Sequence, residues 1–183
     1  MKLEVIMAGF GGQGIMLMGE ILAHSAMMEG KEVSWIPSYG PEMRGGTANC
    51  MVVISDKRIP SPIISSPDVL VAMNKPSMEK FSPMVKPGGL IILNKAMIDV
   101  KSTRRDVEVL EVDAGGIADE LGNMKVANMV ALGAVVGKTG IVDRKTVLSS
   151  IDYFLPPHRK SMYEINEKAF MKGMEIMVEA TPN

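Results

Sequence analysis

Two clusters of residues in this chain have the types and spacing for binding anions. The first is Gly9-Phe10-Gly11-Gly12-Gln13-Gly14, whose glycines at 9, 11 and 14 fit G-x-G-x-x-G. Backbone without side chains admits a phosphate, and the N-terminus of a following helix offers free N–H groups and a partial positive charge. Gln13 adds a polar side chain at the helix start, suited to an anion or to the loop itself. The same pattern serves dinucleotide sites, which also need an acid at the end of the second strand to hold ribose hydroxyls. That segment reads Val33-Ser34-Trp35-Ile36-Pro37-Ser38, with no acid, and Glu29 and Glu32 come too early. Three readings stay open: a phosphate-bearing ligand other than NAD, which is favoured; an NAD or FAD site; and a tight turn without a ligand.

The second cluster is Ser38-Tyr39-Gly40-Pro41-Glu42-Met43-Arg44-Gly45-Gly46-Thr47. Arg44, followed by two glycines, can present its guanidinium to an anion or to a partner subunit. Alternatively it pairs with Glu42 and stiffens the loop. Ser38, Tyr39, Glu42, Gly45 and Gly46 are candidate loop or partner contacts. Ser38 has no histidine near it in sequence and Tyr39 no activating group, so no catalytic residue is assigned. A third candidate, Lys75, follows the C-terminal end of a strand, the edge where open α/β sheets bind ligands. It suits a phosphate, but Asn74 and Ser77 around it also read as a plain strand end and helix start.

Cys50 is the only cysteine, and His24 and His158 are the only histidines. An iron–sulfur cluster usually takes four thiolates, so no metal or cluster site is assigned and any redox centre belongs to an organic cofactor or another subunit. His24 reads as a helix residue with a local hydrogen bond. The 18 methionines read as adaptable core filler, with a partner surface as the alternative. Aromatic residues make up 4%, which implies an aliphatic core and disfavours a nucleobase-stacking platform. A formal net charge of −1 argues against general nucleic-acid binding. Apolar stretches break well before the roughly 18 residues needed to span a bilayer, and the N-terminus makes a poor secretory signal. The cytoplasm is the expected location.

The elements that must position these clusters follow from periodicity. Residues 3–8 form an apolar first strand, and the glycine loop leads into a helix running to Gly30 that is apolar on nearly all sides. Strands are expected at 32–36, 47–55, 69–73, 90–93 and 107–112, with a loop over 37–46 and a short helix over 76–81. Small residues recur through a helix at 126–138, and further helices are expected at 144–151 and from about 159 to 179. With 183 residues and no linker or repeat, the chain reads as a single layered α/β domain over 1–183. Its sheet should be mainly parallel or mixed, with a Rossmann-like glycine loop after the first strand.

Taken together, the motif Gly-Phe-Gly-Gly-Gln-Gly-Ile at 9–15, the loop at 38–47, the run Ser-Pro-Asp-Val-Leu-Val-Ala-Met-Asn-Lys-Pro-Ser at 66–77, and Asn-Met-Val-Ala-Leu-Gly at 128–133 resemble the gamma subunit of 2-oxoacid:ferredoxin oxidoreductases. The resemblance covers nearly the whole chain. It implies a non-autonomous subunit of an enzyme that decarboxylates a 2-oxoacid with coenzyme A to an acyl-CoA and CO2, passing two electrons to ferredoxin. Thiamine diphosphate, its Mg and the iron–sulfur clusters would sit on partner alpha, beta and ferredoxin-like delta subunits. Coenzyme A would be this chain's own ligand, held by Gly9, Gly11, Gly12, Gln13, Gly14, Arg44 and Lys75. The second loop is most similar to 2-oxoglutarate members and next to branched-chain members. A free-standing nucleotide-binding protein and a purely structural assembly subunit are the alternatives.

Overall fold

The computed structural model describes residues 1–40, 46–99 and 102–179. Strands β1 (Lys2–Phe10), β2 (Glu32–Tyr39), β3 (Thr47–Ser55), β4 (Val69–Ala72), β5 (Leu90–Asn94) and β6 (Glu108–Val112) form one sheet in the order β2-β3-β1-β4-β5-β6. β1, β4, β5 and β6 run parallel, and β3 is antiparallel to both β1 and β2. The sheet is therefore mixed. From β1 the chain first moves to one side, through β2 and β3, and then crosses to build β4 to β6 on the other. The reversal makes the end of β1 beside β4 a topological switch point, where a crevice opens beyond the strand ends.

Strand side chains alternate between two apolar layers, as pleated geometry requires. Val5, Met7, Cys50, Val52, Val71 and Ile92 face the larger layer. It is filled by α1 (Ile15–Met28), α3 (Ala114–Glu120), α4 (Ala127–Thr139), α5 (Arg144–Phe154) and α6 (Tyr163–Glu179). Ile6, Ala8, Val53, Leu70 and Ile91 face the smaller one, closed by Met78 and Phe81 of α2 (Lys75–Phe81) together with Ile64 and Ile98. α4 and α6 cross with backbones nearly touching: a Cβ added to Gly133 would stand 2.0 Å from the Phe170 carbonyl oxygen, and one on Gly173 2.0 Å from that of Val130.

Several boundaries differ from the sequence expectation. β2 continues through Pro37 to Tyr39, into what reads as loop. Pro37 is tolerated because β2 is the sheet's edge strand, where a missing N–H costs no ladder bond. α3 was not foreseen; its start carries Gly115 and Gly116, which erase the apolar period, and its signal is the Asp113 cap on the Gly116 N–H at 3.0 Å. The last helix begins at Tyr163, after a 3-10 turn over Pro157–Met162. His24 makes no local bond; its Nδ1 lies 2.9 Å from Ser150 Oγ on α5 and its ring stacks on Tyr153.

At the opposite end of the sheet from the crevice, Lys86 Nζ donates to Glu4 at 2.7 Å and to Asp68 at 2.9 Å, and Lys2 Nζ donates to Glu4 at 2.8 Å. Burial alone would raise the Glu4 carboxyl, but the hydrogen bonds and charges of the two lysines outweigh it and hold Glu4 below its ordinary 4.5. A carboxyl held low stabilises the fold above its unfolded pKa and loses that contribution as pH falls below it. With Lys86 partly exposed, screening keeps the effect modest. Glu4→Gln is expected to cost about 1 kcal/mol at pH 7 and clearly less at pH 3, measured by urea unfolding. An equal loss at both pH values would remove the ionic cause.

Candidate functional site: the crevice at the ends of the parallel strands

β1 ends at Phe10 and α1 starts at Ile15, so residues 11–14 make the entire turn. The turn consumes part of its own donors: the Gly11 N–H donates to the Gly46 carbonyl at 2.9 Å and the Gln13 N–H to that of Phe10 at 3.2 Å. Gly46 belongs to the second sequence cluster, so the fold joins the two glycine clusters by a backbone bond. Among the described residues, the amides of Gly12 and Gly14 have no acceptor. α1 carries no side-chain cap and no acidic residue in its first turn, which leaves its N-terminal N–H groups and dipole for an external anion.

Gly14 is fixed as glycine twice. Its φ is +73°, a left-handed value costly for other residues, and a Cβ there would stand 2.3 Å from Asn128 Nδ2. Asn128, buried in the first turn of α4, donates Nδ2 to the Gly14 carbonyl at 3.2 Å, while its Oδ1 is buried without a partner. Gln13 turns inward. Its Oε1 accepts from the Phe10 N–H at 2.7 Å, and Nε2 reaches the Met73 carbonyl at 3.4 Å. Of the two roles open to it in the sequence, it takes the loop contact, bracing the turn against the end of β4.

A cleft of about 600 Å³ opens beside this turn. Gly12 and Gln13 line one end, Met73 and Asn94 stand at the ends of β4 and β5, and Gly115 and Gly116 close the far side at the start of α3. Asn94 Oδ1 accepts from the Gly115 N–H at 3.4 Å. The rim carries Met97 and Met124, exposed by 48% and 58%, and among the described residues Asp119 and Lys125 are the only charged side chains lining the cleft. Sequence reasoning missed Asn94, Met97, Asp119, Lys125 and Asn128. A signal existed for two of them: Asn94 ends a run of four aliphatic residues and Asn128 opens another apolar run, and a polar residue in such a place needs a partner.

The other candidates are placed as follows. Gly9 lies within β1, opposite Ala48. Ser38 and Tyr39 end the edge strand β2, exposed to solvent. Lys75 opens α2, with Nζ 3.9 Å from Asp99, and lines a separate, smaller cleft with Ser102 and Arg104. Asn74 caps that helix through a 2.9 Å bond from the Ser77 N–H, as in the plain reading of this stretch. Glu42, Arg44 and Gly45 lie outside the described residues. Cys50 is buried under α1, its thiol donating to the Ile15 carbonyl at 3.7 Å. Burial pushes its pKa up to about 12, with the adjacent Trp35 N–H opposing the rise. Among the described residues, no helix is long and apolar enough to cross a membrane.

Comparison with known proteins agrees across sequence and fold. The family described as pyruvate ferredoxin/flavodoxin oxidoreductase matches residues 4–176. Ketoisovalerate oxidoreductase subunit VorA of Methanothermobacter marburgensis is 40% identical over 95% of this chain, which spans only 36% of that relative's length. 2-Oxoglutarate synthase subunit KorC of Methanocaldococcus jannaschii is 36% identical over 98% of this chain and 96% of its own. The keto/oxoacid ferredoxin oxidoreductase gamma subunit from Geobacter sulfurreducens superposes with a TM-score of 0.83 at 31% identity, covering 97% of this chain and 99% of its own. Sequence and overall fold thus converge, and the chain belongs to the pyruvate ferredoxin/flavodoxin oxidoreductase family.

Proposed function

We propose that the chain is the gamma subunit of a cytoplasmic 2-oxoacid:ferredoxin oxidoreductase and that it binds coenzyme A for the complex. The overall reaction is 2-oxoacid + coenzyme A + 2 oxidised ferredoxin → acyl-CoA + CO2 + 2 reduced ferredoxin + H+. Bond cleavage at the 2-oxoacid needs thiamine diphosphate and electron transfer needs clusters; both belong to partner alpha, beta and delta subunits. This chain's single, buried, high-pKa cysteine offers no thiolate set for a cluster. A surface for those partners is suggested by Met27, Met28 and Tyr153, large apolar side chains left exposed on α1 and α5 around His24.

The observation that carries the coenzyme A assignment is the crevice at the switch point. There the spare amides of Gly12 and Gly14 and the uncapped N-terminus of α1 meet a cleft of about 600 Å³. These groups suit the ligand: amides for a phosphate oxygen, a roomy cleft for the rest. Arg44, two residues before the Gly46 that holds the turn, supplies a second anion contact. No side chain of this chain takes part in the bond-making step; its contribution is to hold and orient the thioester-forming ligand.

In the assembled enzyme, Arg44→Ala is expected to raise the Michaelis constant for coenzyme A by a factor of about 10 to 150, the equivalent of a charge-assisted hydrogen bond of roughly 1.5–3 kcal/mol. The decarboxylation half-reaction without coenzyme A should stay intact. Reduced assembly with unchanged coenzyme A dependence would make Arg44 a structural ion pair. As substrate, 2-oxoglutarate is the first reading, because the KorC relatives match this chain end to end. Ketoisovalerate is the second, since the VorA relatives show higher identity over the same segment. Rates of acyl-CoA formation with the two acids separate them.

A further inference from the structure

We propose that the free chain forms a two-fold symmetric dimer through the face shared by α1 and α5, with Tyr153 on the axis and Lys145 of each copy seated against Glu20 of the other. The inference goes beyond the reading above: it concerns the chain before other subunits reach it and is independent of the ligand. Two helical stripes build the face. Glu20, His24, Met27 and Met28 recur on α1 at i, i+4, i+7 and i+8, and Lys145, Ser149 and Tyr153 on α5 at i, i+4 and i+8, so each set lies along one side of its helix. Met27, Met28 and Tyr153 are left exposed, Tyr153 by 69%. Large apolar side chains gathered in one place mark a contact surface. The ridge between the helices is stiff: His24 Nδ1 lies 2.9 Å from Ser150 Oγ, and its ring stacks on Tyr153 at 4.6 Å and meets Phe154 edge-on at 5.3 Å. Little side-chain freedom is left there to lose on association.

The charges of the face decide what occupies it. His24 lines a groove on each side of the ridge, each of about 290 Å³. The first is walled by Trp35, Phe154 and Met27 and carries one carboxylate, Glu20. The second carries one cation, Lys145, beside Met28 and Ser149. Among the described residues neither Glu20 nor Lys145 has an ion-pair partner. An acidic, aromatic groove and a cation on opposite flanks of one ridge are self-complementary. A two-fold axis along the ridge lays the second groove of each copy over the first groove of the other, and every contact is made twice. Lys145 then meets the Glu20 carboxylate while its stem and ammonium lie against the Trp35 and Phe154 rings. Tyr153 faces its own symmetry mate. An unrelated partner has to bring a cation for one groove and an acid for the other, whereas a second copy brings both at a spacing fixed by symmetry. The formal net charge of −1 sets up little long-range repulsion between copies.

Sedimentation velocity of the full chain over a concentration series tests this. The wild-type chain should sediment as a dimer at about 100 μM and dissociate on dilution, as a contact of micromolar affinity does. Lys145→Glu or Glu20→Lys alone should raise the dissociation constant by a factor of about 10 or more, since the pair is lost twice and replaced by like charges. The two substitutions in one chain restore opposite charges and should bring the constant back to within about threefold of wild type. Tyr153→Ser should abolish the dimer. All three side chains reach solvent in the single chain, so far-ultraviolet circular dichroism should be unchanged, which separates a lost contact from a lost fold. A wild-type chain that stays monomeric at the top concentration would overturn the proposal. So would a dimer indifferent to Lys145→Glu and Tyr153→Ser, which places the self-contact elsewhere, and failure of the double variant to recover, which removes the Lys145–Glu20 contact. A monomer whose same variants lose co-purification with the other subunits would give the face to those subunits and overturn the dimer. None of these outcomes touches the coenzyme A reading.

Discussion

Gly173→Ala is expected to lower the stability of the chain by about 3 kcal/mol or more, at the upper end of what overpacking costs. The reason is what the new Cβ meets. It would stand 2.0 Å from the carbonyl oxygen of Val130 and 2.8 Å from the carbonyl carbon, and neither atom can swing aside as a side chain does. α4 and α6 would have to separate, unpacking the buried Ala169 and Phe170. Gly133→Ala meets the reciprocal obstacle at Phe170 and should cost as much. For a chain of this size the loss corresponds to a fall in melting temperature of roughly 6–12 °C, read by far-ultraviolet circular dichroism. The double variant should cost less than the sum, since one separation relieves both clashes. A fall under about 2 °C for either single variant would mean that the two helices cross farther apart than described.

Native Cys50 should react with iodoacetamide about a thousandfold more slowly than an unperturbed thiol at the same pH. Burial moves its pKa from 9.0 to about 12, and the thiolate is the reacting species; burial beneath α1 slows access further. Modification should therefore track unfolding, with full labelling in denaturant and almost none without it. The sign for stability follows from linkage. A group whose folded pKa is raised contributes fully below its unfolded value, and the contribution is lost as pH rises, from about 9 towards 12. Stability should thus fall across that window, and Cys50→Ser should flatten the fall. Rapid labelling of the native chain at neutral pH would contradict both the burial and the shift.

The sheet was legible in the sequence because its strands are short apolar runs separated by turn residues. The expected and observed strands over residues 47–55 coincide. Errors came where one residue type carries two meanings. Pro37 reads as a break but sits on an edge strand, which tolerates it. Gly115 and Gly116 read as loop but start a helix capped by Asp113. The glycine turn was visible as a motif, yet its donors could not be counted from sequence: only the fold shows that the Gly11 and Gln13 amides are already committed and that Gln13 braces the turn. The cleft was harder still, because Asn94 and Met97 come from the end of β5, Gly116 from α3 and Lys125 from the turn before α4, and the three segments share no spacing. Lys75, adjacent to the right strand end, points to a different cleft because α2 packs on the other face of the sheet.

The contact between Asn128 and Gly14 also bears on how the chain matures during synthesis. The glycine turn leaves the ribosome early, but Asn128, whose amide holds the Gly14 carbonyl, comes 114 residues later. α4, which carries Asn128, is seated in turn by its crossing with α6 at Gly133 and Gly173. A nascent chain long enough to form β1, α1 and the complete sheet still lacks the clamp on its glycine turn. The turn therefore reaches its final form late, with the docking of α6, and a truncated or stalled product would carry the motif without its clamp.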